Sequence, residues 1–285
     1  VAGAGWSLDT ALTVGALALA AVVYARGWVR LRHRMPHRVR PLHVASFLVG
    51  LDALLVAVAS PLDRRAGESL AAHMTQHLLL MMVAPPLLWL GAPVAPLLRG
   101  LPGALSRWVI RALAWGPVRR VGRALSHPVV GWTSFTAAAW VWHAPALYER
   151  ALGSATWHHV QHACFLATAL LFWWPVIQPW PSRPRWPRWA LIPYLLLAEV
   201  QNTLLAAAFT FIGRPLYPTY AAVAGRAGGS ALDEQVVAGL IMWGPGSLAL
   251  LLPAAWVTLQ LLTPARARAG APGVRPLPPP GAMMD

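Results

Sequence analysis

The stretch Leu70–Leu90, LAAHMTQHLLLMMVAPPLLWL, decides the fold. At 1.5 Å per residue it reaches about 30 Å, the thickness of a bilayer's hydrocarbon core. It carries no Asp, Glu, Lys or Arg and none of the period-two alternation of a strand. Backbone groups in lipid must be paired within the segment, so the stretch reads as a membrane-spanning helix. Six other runs share its character, at about 9–27, 42–61, 128–147, 156–178, 190–212 and 233–262. The sequence therefore predicts an all-α, polytopic membrane protein, a seven-transmembrane-helix bundle forming one domain over residues 1–263. With 57% hydrophobic and 11% charged residues, an ordinary soluble domain is excluded.

The net charge of +14 comes from arginine alone, and its distribution argues against nucleic acid as the partner. Arg26, Arg30, Arg32, Arg34, Arg38 and Arg40 follow the first run, and Arg99, Arg107, Arg111, Arg119, Arg120 and Arg123 the third. Arg183, Arg185 and Arg188 follow the fifth, and Arg266, Arg268 and Arg275 the last. The intervening loops hold only Arg64, Arg65, Arg150, Arg214 and Arg226, leaving 18 of 23 on one side. The positive-inside rule then puts the N-terminus outside and the C-terminus in the cytoplasm of a bacterial plasma membrane. The first run carries its charge behind it and is long for a signal core, so it reads as a retained span.

The loop Gly91 to Ser126 interleaves Leu105, Trp108, Val109, Ala112 and Leu113 with Arg107 and Arg111, the pattern of a helix lying in the membrane interface. Residues 264–285 are rich in Pro, Ala, Gly and Arg and read as a disordered cytoplasmic tail. Pro85, Pro86 and Pro175 should kink their helices, and a break at Gly244, Pro245 and Gly246 would fit the long seventh run to the bilayer. Trp142, Trp157, Trp173, Trp174, Trp180, Trp186 and Trp189 near the ends of runs suggest interfacial belts. Cys164, without a second cysteine to pair, reads as a small core residue.

Six of the ten histidines fall at the outer ends of these runs. On a helix, residues four apart share a face, so His73 and His77 line up with Met81 below them and Met74 beside them. His158 and His162 repeat that spacing, with His159 between them, and His143 ends the fourth run at a similar depth. Asp233 opens the seventh run on the same side. Neutral imidazole suits transition metals, and thioether sulfur favours Cu(I). The expectation is an outward-facing metal site of His73, His77, His158 and His162, with His143, His159, Met74, Met81 and Asp233 as additional or supporting groups. Zinc needs only His and carboxylate, and a haem b held by two facing histidines is a further alternative. Deeper lie Asp52, Glu199, Gln201 and Asn202, expected to be hydrogen-bonded between helices or to form an ion path.

The run from His73 through Pro93, HMTQHLLLMMVAPPLLWLGAP, resembles the signature of the CtaG family of multi-span cytochrome c oxidase assembly factors, the kind tied to caa-type oxidases. Similar stretches follow in order: WVWHAPALY from Trp140 to Tyr148, HHVQH from His158 to His162, FWWPVI from Phe172, PLY from Pro215 to Tyr217, and DEQVVAGLIMWGPG from Asp233 to Gly246. The likeness covers about residues 70–246, and Glu234 stands where the pattern has Asp followed by Gln. The resemblance implies a seven-span protein, not an enzyme, that helps copper from an extracytoplasmic donor reach a haem-copper oxidase subunit. A membrane copper importer, a haem-binding electron carrier and a structural scaffold for oxidase subunits are the alternatives.

Overall fold

The computed structural model describes residues 8–35, 40–182 and 186–263, so the tail 264–285 and Arg38, Arg183 and Arg185 lie outside the described residues. Among the described residues the regular structure is entirely helical. In chain order it comprises α1 (Leu8–Arg32), α2 (Pro41–Ala59), α3 (Pro61–Ala66), α4 (Leu70–Leu78), a π-helical turn (Leu79–Val83), α5 (Ala84–Leu90) and α6 (Val94–Gly100). There follow α7 (Gly103–Ala114), α8 (Gly116–Leu125), α9 (Pro128–His143), α10 (Pro145–Leu152), α11 (Ala155–Ile177), a 3₁₀ turn (Arg188–Ala190), α12 (Leu191–Phe211), α13 (Pro218–Ala227) and α14 (Ala231–Leu262).

Five helices, Leu8–Arg32, Pro41–Ala59, Ala155–Ile177, Arg188–Phe211 and Ala231–Leu262, are long and apolar enough to cross a membrane. The stretch Leu70–Leu90 joined to Val94–Gly100, bent by 69°, makes a sixth. The remaining expected span, 128–147, is shorter than anticipated. Its helix stops at His143 after 16 residues, about 24 Å, because Pro145 cannot continue the hydrogen-bond ladder and the chain turns into α10.

The centre of the bundle is the run from α4 to α5, which packs against α2 and α11, while α14 lies against α4 and, along its length, against α12. Pro85 and Pro86 lack the N–H groups that would bond the carbonyls of Met81 and Met82. The chain adapts by a π turn in which the Ala84 N–H reaches back to Leu79, and the Trp173 indole N–H of α11 donates to the Met81 carbonyl at 2.8 Å. Trp173, expected in an interfacial belt, is thus buried in the core. The expected break in the seventh run is absent: α14 runs unbroken through Pro245 for 32 residues. Asn202 Nδ2 donates to the Met242 carbonyl one turn before that proline, and Gly246 gives the amide room to lie against the helix.

Helix α1 stands at the edge and packs on α6 and α2. Gly27 and Gly100 permit the crossing, for a Cβ on Gly27 would run into the Pro96 carbonyl and one on Gly100 into the Val23 carbonyl. No residue of α7 or α8 is buried, as expected of helices lying on a surface. Gly27→Val should therefore lower the stability of the detergent-solubilised protein by about 1–3 kcal/mol through overpacking. Gly15→Val, in the same helix with open space around it, should leave the thermal unfolding midpoint unchanged, and equal effects of the two would contradict this account of the crossing.

Candidate metal centre

Three helices deliver five imidazoles to one buried volume: His73 and His77 from α4, His143 from the end of α9, and His158 and His162 from α11. The i, i+4 spacing does this locally by stacking each pair on one face. Ser69 and Ser154 precede the two helices that carry the histidine pairs, and the Ser69 side chain accepts the Ala72 N–H, so α4 starts one turn before His73. His73, His77, His143 and His162 are buried, and His158 is half-buried.

One nitrogen of each of His73, His158 and His162 lies within 4.8 Å of the others. Three donors about 2.0 Å from one ion sit roughly 3.3–3.5 Å apart, so small side-chain rotations would close the triad on a metal. His77 is the one expected core ligand outside that triad. Its ring stands 4.5 Å from His73, 5.8 Å from His162 and 5.5 Å from His143, centroid to centroid. His143, expected as a bystander or addition, joins the cluster through His77.

The Nε2 atoms of all five imidazoles are buried and have no hydrogen-bond partner, and His77 Nδ1 has none either. Leaving one such atom unsatisfied costs about 1–3 kcal/mol. Two tautomers follow from the partners that do exist. Burial pushes the Tyr220 hydroxyl's pKa up, so it keeps its proton, which it donates to the Ala66 carbonyl at 2.5 Å. The 2.7 Å contact between Tyr220 Oη and His73 Nδ1 must then be donated by the imidazole, leaving a lone pair on His73 Nε2. His143 Nδ1 lies 2.6 Å from the Ala139 carbonyl and can only donate to it, so its Nε2 also carries a lone pair. This is how ligating histidines are held, with the other ring nitrogen spent on orientation.

A tyrosine roof from the short outer helices covers the cluster. Tyr148 of α10 lies 5.0 Å from the His73 ring and stacks on Tyr217 at 4.0 Å, and Tyr217 donates to the His143 carbonyl at 2.8 Å. Access is instead lateral. A groove of about 680 Å³ between α1, α2 and α11 is lined by Asp9, Asp63, His158, His159 and His162. Asp63 is held there by Gln76 Nε2 at 2.9 Å, and His159 is exposed.

The other anticipated residues divide. Met74 and Met81 are buried below the triad. Asp233 is exposed in the first turn of α14, while its neighbour Glu234 accepts from Ser69 Oγ and the Ala71 N–H. Gln235 is buried and accepts from the Leu216 N–H, a tie between loop and helix. Glu199 Oε1 accepts from Thr203 and Ser247. Asp52, expected inside the bundle, is instead exposed on the outer face of α2. Gln201 and Asn202 line a cavity under His77.

Sequence reasoning missed Tyr220, Tyr148 and Met242. For Tyr148 and Met242 the quoted motifs WVWHAPALY and DEQVVAGLIMWGPG contained the residue; for Tyr220 none did. Tyr220→Phe removes the acceptor that fixes the His73 tautomer and should weaken metal binding 10–100-fold with helical content preserved. A chelator-competition titration checks this, and wild-type affinity in the variant would contradict it.

The curated relatives that the chain matches include a protein of Mycobacterium bovis, named only as uncharacterized, 29% identical over 192 residues, which are 64% of this chain and 28% of that protein. A similarly named protein of Mycobacterium leprae is 27% identical over 197 residues, 67% of this chain and 29% of the relative. The chain thus spans less than a third of the length of these relatives. No solved structure matches it. The family model described as cytochrome c oxidase caa3 assembly factor matches residues 22–263, so the chain belongs to the Caa3_CtaG family.

Proposed function

We propose that the chain is a copper-handling assembly factor of a haem-copper oxidase, which takes up Cu(I) at the outer face of a bacterial plasma membrane and passes it to an oxidase subunit. The observation that carries this reading is the set of five buried Nε2 atoms, on neighbouring rings from three helices, that have no hydrogen-bond partners. Membership of an oxidase assembly family supplies the purpose.

In this reading the cargo enters from an extracytoplasmic donor through the lateral groove. Asp9 and Asp63 attract a cation, and His158, half-buried at the groove wall, is the first imidazole of the triad to meet it. His162 and His73 complete a three-coordinate site, a number that leaves room for incoming and outgoing ligands. Handover then needs no bond-making chemistry beyond ligand exchange, and the chain acts as a carrier rather than an enzyme. The cavity beneath His77 and His143, about 40 Å³, is too small for a porphyrin, which disfavours a haem b held between those two histidines. The reading takes Pro128–His143 as the fourth of seven crossings, and the arginine distribution supports an outer position for the cluster.

His73→Ala with His158→Ala should remove Cu(I) bound by the triad and, in cells, lower the copper content and activity of the caa-type oxidase severalfold while the variant still reaches the membrane. Elemental analysis of the purified variant and oxidase assays on membranes check both. Full metal content together with normal oxidase would defeat the proposal. Normal metal content with defective oxidase would support a scaffold role instead.

A further inference from the structure

We propose that the cavity below His77 is a second metal site, separate from the outer triad, in which His77, His143 and the thioethers of Met74, Met81 and Met242 bind Cu(I). It rests on the copper reading of the triad and adds a deeper station to it.

The cavity is enclosed by α4 with its π turn, α9, α12 and α14, and its volume of about 40 Å³ exceeds that needed for a single small guest. Four of the chain's seven methionines, Met74, Met81, Met82 and Met242, line it. Methionine in a core is ordinarily a gap filler. Here the methionines line the same cavity as two buried imidazoles whose free nitrogens have no hydrogen-bond partner. His143 is held by the Ala139 carbonyl with its Nε2 lone pair unpaired, and neither nitrogen of His77 has a partner. The π turn is placed where Met81 and Met82, adjacent in sequence, are both buried against the cavity. Such turns are rare and concentrate at functional sites.

The donor sets of the two sites differ in kind. The triad offers imidazole alone, which suits several divalent metals as well as copper, whereas mixed imidazole and thioether donors select Cu(I). His77 stands between them, 4.5 Å from the His73 ring and 5.5 Å from that of His143. An ion can pass inward by ligand exchange: a His77 nitrogen binds Cu(I) as a triad imidazole leaves, and a thioether and His143 Nε2 then replace the remaining triad ligands. Copper stays monovalent throughout, and the imidazoles that exchange are neutral, so no electron and no proton is transferred. The deeper site thus acts as a filter, since a divalent ion bound at the triad finds poor ligands below it.

The test is copper-edge X-ray absorption on the full chain, purified in detergent and loaded with excess Cu(I) under reducing conditions. The expected result is two Cu(I) per chain with both nitrogen and sulfur scattering. Met74→Leu, Met81→Leu and Met242→Leu together, near-isosteric changes, should reduce the stoichiometry to one and abolish sulfur scattering. His73→Ala with His158→Ala should also leave one ion, now with sulfur scattering retained. Wild-type protein without sulfur scattering, or a triple Met variant that keeps it, overturns the second site and leaves the triad standing. Absence of bound copper from the wild type overturns both.

Discussion

Polar backbone groups in an apolar surround must be paired by the protein itself, and the prolines set within the spans make that demand local. Pro85 and Pro86 withdraw two donors from the central helix, and the structure answers with the π turn and the Trp173 indole on the Met81 carbonyl. Pro145 ends α9 beneath the roof, and Tyr217 ties its last carbonyl, that of His143. Near Pro245, Asn202 Nδ2 donates to the Met242 carbonyl. Each of these bonds joins two helices, so the pairing forced by the prolines also fixes how the bundle is assembled around its centre.

Against that background the imidazoles are the exception with a direction. Their Nδ1 or ring positions are fixed by Tyr220, by the Ala139 carbonyl and by mutual edge contacts, while every Nε2 is left without a partner. Five atoms in that state carry a penalty of several kcal/mol. In the proposed function a coordinated soft ion would offset it, with the tyrosine roof keeping water out and the lateral groove letting a cation in.

The helices were legible because run length and the absence of charge are properties of each segment alone. The same holds for His73 with His77 and for His158 with His162, whose spacing states a shared face without knowledge of any neighbour. What was not legible depends on partners distant in the chain. The separation of His77 from the triad, and its approach to His143, arise from how side chains of α4, α9 and α11 meet in the bundle. Tyr220, 147 residues from His73, becomes its orienting group only when α13 folds over the mouth. The exposed position of Asp52 likewise follows from which face of α2 meets α5. The bond from Asn202 to the turn before Pro245 is likewise one that no local signal states.

The most direct measurement is anomalous diffraction at the copper edge from crystals of the chain loaded with Cu(I). The account requires a peak at bonding distance, about 2 Å, from nitrogens of His73, His158 and His162. Copper found only at surface groups such as His159, with no peak among the three buried imidazoles, would contradict it.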